Sequence, residues 1–282
     1  MARDVSRIPC RSCKPKMEKL LKQIAIVVDF SDHCVRVLND IIPLTNELQC
    51  DIHLLHIPSI SINPDHNAVA SLKLMQLQSS FLPKLEKGRL LFCHCETGRE
   101  EKVIRDYCIR KHIDLVILMQ NNRVSLASLV SPVNINRLTA KAHCPVLNLP
   151  RPRTINNIRN IVLPVTDVLP LRKIMFATYL AKFNNARIHL VSLNDESPDR
   201  GVNKHMLLLK AYQLLKDNTT LPVECHPLTG GNIADTTIEY AERVNADLIV
   251  VEPGPEVALP GIINKFFSRL IFSASRIPVM AV

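Results

Sequence analysis

The residues best suited to chemistry in this chain are few. Cys10 and Cys13 have the spacing of half a zinc site or of a redox pair, and Cys93-His94-Cys95 offers three further donors. A zinc site of this type needs a second Cys or His pair at a set distance, and none follows the first. On a strand, alternation turns His94 away from Cys93 and Cys95, so those three do not close round one ion. Tail thiols and small buried residues explain these cysteines more simply than a metal does, and no metal is expected. The tail Cys-x-x-Cys does not open a helix within a βαβ unit, which weighs against thioredoxin-type exchange. No Gly-x-Ser-x-Gly elbow is present to activate a serine, and no catalytic residue is assigned.

Two kinds of position remain. Thr97-Gly98 and Thr229-Gly230-Gly231 stand where a strand gives way to a helix, the end of an open α/β sheet at which ligands bind. Glycine serves the turn there equally well, and both roles stay open. His53 and His189 occupy matching places on two strands and are read as core or edge histidines with a shared structural role. Glu100 and Glu101 fall in the first turn of a helix, where the helix dipole favours acids.

These residues come in pairs because the chain is written twice. Asp114-Leu115-Val116-Ile117-Leu118 stands 31 residues before Pro145-Val146, and Asp247-Leu248-Ile249-Val250-Val251 stands 31 before Pro278-Val279. Asp51-Ile52-His53-Leu54 is matched by Arg187-Ile188-His189-Leu190, and Ile26-Val27-Val28 by Leu163-Pro164-Val165. Copies of about 140 residues have the size of independent domains. The chain accordingly divides into a basic tail (1–19), a first domain (20–150), a linker (151–158) and a second domain (159–282).

Composition narrows the function classes. The 282 residues are 47% hydrophobic, enough for two ordinary cores, and hold no apolar run of about 18 residues that would span a membrane. The basic N-terminus has no apolar segment behind it, so no secretory signal is read. Nine cysteines, odd in number and unevenly spaced, fit reduced thiols and a cytoplasmic location. The formal charge of +9 invites a nucleic-acid reading, but residues 1–22 alone supply +5 of it. With 8 Phe, 4 Tyr and no Trp, no basic stripe alternates with stacking aromatics, and nucleic-acid binding is not expected.

Each copy alternates short Val/Ile/Leu-rich runs with amphipathic segments. In the first, strands are expected at Ile24–Val28, Ile52–Ile57, Arg89–Cys95, Asp114–Met119 and Pro145–Leu149. Helices are expected between them, the second over roughly Asn67–Glu86, with an irregular stretch at Asn121–Ser131. Strands that read as continuous apolar runs are buried on both faces, which predicts α/β architecture with two tandem doubly wound parallel five-stranded sheets. Residues 202–217 form a helix with a wide apolar face, mostly core.

Ile26-Val27-Val28-Asp29-Phe30-Ser31 resembles the opening strand of the universal stress protein family, and Leu54-Leu55-His56-Ile57 its second strand. His143-Cys144-Pro145-Val146-Leu147 and Ile277-Pro278-Val279-Met280 resemble its closing strand. In order and in duplicate, these words make the chain similar to a tandem universal stress protein over residues 20–282. The resemblance implies the Rossmann-like fold of adenine nucleotide alpha hydrolases, with strand order 3-2-1-4-5 in each half. It also implies that closing strands of two domains pair edge to edge. Pro145–Leu149 and Pro278–Val282 could do this within one chain, imitating the family dimer, with further homodimerisation left open.

Members that bind ATP carry a glycine pattern after the fourth strand, where backbone N–H groups close on phosphate. In this chain the matching positions are Met119, Asn122, Pro132 and Val133, and then Glu252, Pro255, Lys265 and Phe266, none of them glycine. Pro132 and Pro255 lack the N–H altogether, and Glu252 would set a carboxylate against a polyanion. Asp29 keeps the acid that in the family faces the nucleotide, whereas Thr166 replaces it in the second copy, with Asp167 one residue on.

The expectation is a non-catalytic stress-response protein with degenerate ATP-binding motifs, no cofactor, and action through unknown protein partners or a small ligand. A nucleotide switch or weak ATPase, binding ATP or AMP through a rearranged loop with Gly254 and Lys265, is the alternative. A redox- or metal-responsive adaptor using Cys10 and Cys13 is a third. Residues open to a ligand are Asp29, Thr97, Gly98, Thr166, Thr229, Gly230, Glu252, Gly254 and Lys265.

Overall fold

The computed structural model describes residues 19–58, 65–119, 133–193, 204–230, 233–252 and 275–282. In the first half, strands β1 (Gln23–Val27), β2 (Asp51–His56), β3 (Leu91–Cys95), β4 (Leu115–Leu118) and β5 (Val146–Asn148) alternate with helices. These are α1 (Asp32–Leu48), α2 (Asp65–Phe81), α3 (Glu100–Lys111) and α4 (Ile135–Ala142). The second half repeats the order with β6 (Asn160–Pro164), α5 (Leu171–Asn184), β7 (Arg187–Leu193), α6 (Lys204–Asn218), β8 (Val223–Leu228), α7 (Ile233–Arg243), β9 (Leu248–Val251) and β10 (Val279–Ala281). The irregular stretch expected at 121–131 lies outside the described residues.

Local chemistry sets the helix ends. Ser31 caps α1 by accepting from the Cys34 N–H at 3.2 Å, and Asn134 caps α4 by accepting from the Arg137 N–H at 3.0 Å. Helix α3 opens on Glu100 and Glu101 and closes on Arg110 and Lys111, matching the macrodipole at both ends. With only 7 Gly in the chain, left-handed C-caps fall to Gln49, His112, His143 and Asn185.

Among the described residues, ten strands form one sheet in the order β3-β2-β1-β4-β5-β10-β9-β6-β7-β8. Each half has the expected 3-2-1-4-5 order, and the strands within each half are parallel. The halves meet at an antiparallel pair, β5 with β10, in the register Asn148–Val279, Leu147–Met280 and Val146–Ala281.

The repeated aspartates that open β4 and β9 have a matched task. Asp114 Oδ2 accepts from the N–H groups of Lys22 and Gln23 at 2.8 and 2.9 Å, and Asp247 Oδ2 from those of Arg159 and Asn160 at 2.7 and 2.9 Å. Each carboxylate ties the start of the first strand of its half to the start of the fourth.

The linker is not the polar spacer that its composition suggests. Ile155 and Ile158 are only 3% and 1% exposed. They join Leu21, Ile24 and Ile41 of the first half and Leu180, Leu248 and Met280 of the second round a residual apolar cavity of about 20 Å³. Helix α6 buries Leu208, Ala211 and Leu215, whereas Met206 and Leu209 stay 47% and 42% exposed, so its apolar face is wider than the surface it covers.

One apolar layer therefore runs through both halves, and the linker belongs to it. Ile158→Ala is expected to lower the free energy of urea unfolding by about 2–4 kcal/mol, the range for truncating a buried isoleucine. The loss should come in a single transition monitored by far-UV circular dichroism. Two separated transitions in the native chain would contradict a shared core.

Candidate functional site

Ligands of open α/β sheets bind beyond the carboxyl ends of the strands. The antiparallel seam sends the strands of the two halves in opposite directions, so those ends lie at opposite edges of the sheet. Asp29, Thr97 and Gly98 are at one edge, and Thr166, Thr229, Gly230 and Glu252 at the other. The sequence-derived candidates thus form two separate sets. Gly254 and Lys265 lie outside the described residues, as do Cys10 and Cys13.

In the first set, the Asp29 carboxylate is already engaged. Its Oδ1 accepts from the Ser31 N–H at 3.1 Å and the Ser31 hydroxyl at 2.7 Å, and its Oδ2 pairs with the Arg151 guanidinium. Burial pushes this carboxyl up, but Ser31 and Arg151 outweigh it and hold the group below its ordinary range. Beside it His33 is 3% exposed, and neither ring nitrogen has a hydrogen-bond partner. Burial, then the Arg151 and Arg36 charges, lower the His33 pKa against the opposing pull of Asp29. Phe30 takes a left-handed φ of 60°, costly for an aromatic residue, and its ring lies 4.3 Å from that of His56. The His56 Nδ1–H donates to the Val28 carbonyl at 2.8 Å.

Thr97 and Thr229 are exposed at their strand ends. Both adjoining glycines have a steric reason to be glycine. A Cβ on Gly98 (φ +140°) would stand 3.0 Å from Val103 Cγ2, and one on Gly230 would stand 2.4 Å from Thr236 Oγ1. The turn into the following helix accounts for them. Thr166 follows β6 and Glu252 follows β9, both half-buried.

The matched histidines prove to be built sites of another kind. His53 Nδ1 is 2.7 Å from the Tyr107 hydroxyl, and its Nε2 is 2.6 Å from Gln23 Oε1. His189 repeats this, with Nδ1 3.0 Å from the Tyr240 hydroxyl and Nε2 3.2 Å from Asn160 Oδ1. An amide oxygen only accepts, so Nε2 carries the proton in both rings and Nδ1 accepts from the tyrosine. His94 and His226 stand beside these pairs, with ring centroids 6.0 and 5.9 Å from His53 and His189. Cys93, on the opposite face, donates to the Leu74 carbonyl at 3.7 Å, which is the alternation expected of this strand.

The sequence reasoning missed Glu224 and His226. Their signal was a Glu-x-His step on a strand adjoining the one that carries His189, which puts all three on one face.

Burial pushes the thiols of Cys34, Cys93 and Cys225 up to about 11 and that of Cys50 to about 12. Thiols so protonated are poor nucleophiles and poor redox sensors.

The sequence profile of the universal stress protein family matches residues 21–150. No curated protein sequence matches the chain. Among solved structures, a universal stress protein from Archaeoglobus fulgidus DSM 4304 is similar at 15% identity, covering 92% of this chain and 95% of its own, with a TM-score of 0.69. A functionally unknown protein from Pseudomonas aeruginosa PAO1 is similar at 14% identity, 93% and 92% coverage and a TM-score of 0.61. The cytoplasmic domain of a prokaryotic cation chloride cotransporter has the same general fold, at 10% identity, 93% and 95% coverage and a TM-score of 0.52. Identities this low speak for the fold alone.

Burial, chiefly, lowers the His53 pKa from 6.5 to about 4, with the His94 and Lys111 charges adding to the effect. The unfolded chain therefore takes up a proton near pH 6.5 that the folded chain refuses until about pH 4. Stability is complete above pH 6.5 and is lost as the pH falls through that window. His53→Gln should flatten the slope of unfolding free energy between those limits by roughly 2 kcal/mol in total, measured by urea titration at stepped pH.

Proposed function

Because residues 21–150 are a universal stress protein domain and the second five-stranded unit repeats its topology, we propose that this chain is a non-catalytic stress-response protein. It acts through protein contacts or an unidentified small ligand and has given up the family's ATP site. The state of Asp29 carries this reading, since the acid that would face a nucleotide is taken up by Ser31 and Arg151. The missing glycines at Met119 and Val133, and at Glu252 in the second half, point the same way. Backbone N–H groups are what bind phosphate there, and a side chain on each residue keeps them from closing in.

We read residues 20–150 and 159–282 as two domains joined into an internal counterpart of the dimers common in the family, with the β5–β10 pair as their joint. Among the described residues no helix is long and apolar enough to cross a membrane. The described cysteines are free thiols, which suits a reducing compartment, and we place the protein in the cytoplasm on that ground.

Thermal unfolding of the full chain with and without millimolar Mg-ATP, ADP and AMP separates this from a nucleotide switch. A ligand at a hundred times its Kd adds about 2.7 kcal/mol to the folded state, enough to raise Tm by several degrees. No shift with any of the three nucleotides is expected. A shift of several degrees would establish the alternative, a rearranged site using Glu252, Gly254 and Lys265.

A further inference from the structure

We propose that His189, Glu224 and His226 form a binding site for a zinc-class divalent cation on the outer strands of the second half, distinct from both strand-end clefts. Their donor atoms all lie within 4.8 Å of one another. Glu224 Oε2 is 3.4 Å from His189 Nδ1 and 3.1 Å from His226 Nε2. Donors about 2.0–2.1 Å from a tetrahedral zinc stand about 3.3–3.4 Å apart, so both spacings suit a shared ion. Two imidazole nitrogens and one carboxylate oxygen are a donor set that zinc accepts while keeping a fourth position open.

The protonation pattern gives the second reason. Asn160 Oδ1 takes the Nε2–H of His189, so Nδ1 carries the lone pair, which accepts from the Tyr240 hydroxyl and which an ion beside Glu224 Oε2 would take over. The Asn160 contact is also the kind of outer support that fixes tautomer and ring orientation in histidine metal sites. Arg187 Nη1 holds the other oxygen, Glu224 Oε1, at 3.0 Å, while Oε2 lies 3.1 Å from His226 Nε2 in a hydrogen bond that a bound ion would replace.

Access and rigidity are divided among the three. His189 is buried at 3% exposure, whereas the side chains of Glu224 and His226 are 38% and 37% exposed. Tyr240, beside His189 and 5.0 Å from the His226 ring, also lines a groove of about 360 Å³ with Thr229, Glu239 and Arg243. An open coordination position next to that groove could accept water or a small anionic ligand.

The first half supplies an internal control. His53 and His94 match His189 and His226, and Tyr107 matches Tyr240, but in register with His53 stands Phe92 where the second half has Glu224. The Phe92 ring lies 4.7 Å from the His53 ring and supplies no donor. One carboxylate distinguishes a metal site from a packed histidine pair.

The test uses Co²⁺ as probe on the full chain after chelator treatment, read by visible absorption and by titration calorimetry. One Co²⁺ should bind with the d–d bands of a nitrogen- and oxygen-ligated ion of low coordination number. Glu224→Gln and His226→Ala should abolish the bands, His94→Ala should leave them, and far-UV circular dichroism should show each variant folded. Phe92→Glu should create a second site and double the stoichiometry. Absence of the bands in the native chain overturns the proposal. So does their survival in both second-half variants, or a thiolate charge-transfer band that disappears with Cys10→Ser. A nucleotide response in thermal unfolding bears on the strand-end clefts and leaves this outcome untouched.

Discussion

The antiparallel pairing of β5 with β10 is the contact on which the rest depends. Two parallel five-stranded sheets would each end in an apolar edge strand with unpaired N–H and C=O groups, a template for aggregation. Here each edge satisfies the other over three residue pairs, and Val146, Leu147, Val279 and Met280 are 4% exposed or less. Both apolar layers consequently pass through the seam, one holding Leu147 and Met280 and the other Val146 and Val279. The linker then has a surface to join, and Ile155 and Ile158 become core. The direction reversal at the seam also keeps the strand-end clefts of the two halves at opposite edges.

Duplication separates structural residues from the rest. What both halves keep is what the fold needs: the aspartate at the start of β4 and β9, and the buried His–Tyr pair with its amide partner. A hydrogen bond to a buried group is worth most when its loss would leave a partner unsatisfied, and each of these holds two. Where the halves diverge, no structural demand forces the residue. Asp29 against Thr166 and Phe92 against Glu224 are such places, and each alters charge at a site that is at least partly open to solvent.

Much of this was legible in the sequence because it rests on local pattern. Apolar runs bounded by turn residues gave the strands, repetition gave the two halves, and alternation put His94 opposite Cys93. The paired closing strands followed from their resemblance to a family ending. The Asp29–Arg151 ion pair was not legible, since 122 residues separate its members and only the chain's return past the end of β1 brings them together. The burial of Ile155 and Ile158 was hidden by the asparagines and arginines around them, because composition averages over residues that face opposite ways. Glu224 and His226 escaped notice because their chemistry is shared with a strand some 35 positions earlier, and period-two reasoning within one strand does not give the register between two.

The distribution of glycine tests the idea that the clefts were remodelled rather than merely eroded. Gly98 and Gly230, at the carboxyl ends of matched strands, are each required by a neighbour on the following helix, Val103 and Thr236. Left-handed positions that glycine would fill at least cost are held by Gln49, His112, His143, Asn185 and Asn245. Gly98 and Gly230 are thus glycine where a Cβ would crowd a neighbour, whereas Gly88 (φ +88°), with nothing within 4 Å of its Cβ position, answers to the backbone alone. A phosphate cradle sets a requirement of the first kind, because the ligand itself would collide with the Cβ. On the proposed reading Met119 and Glu252, which follow β4 and β9, face no such requirement.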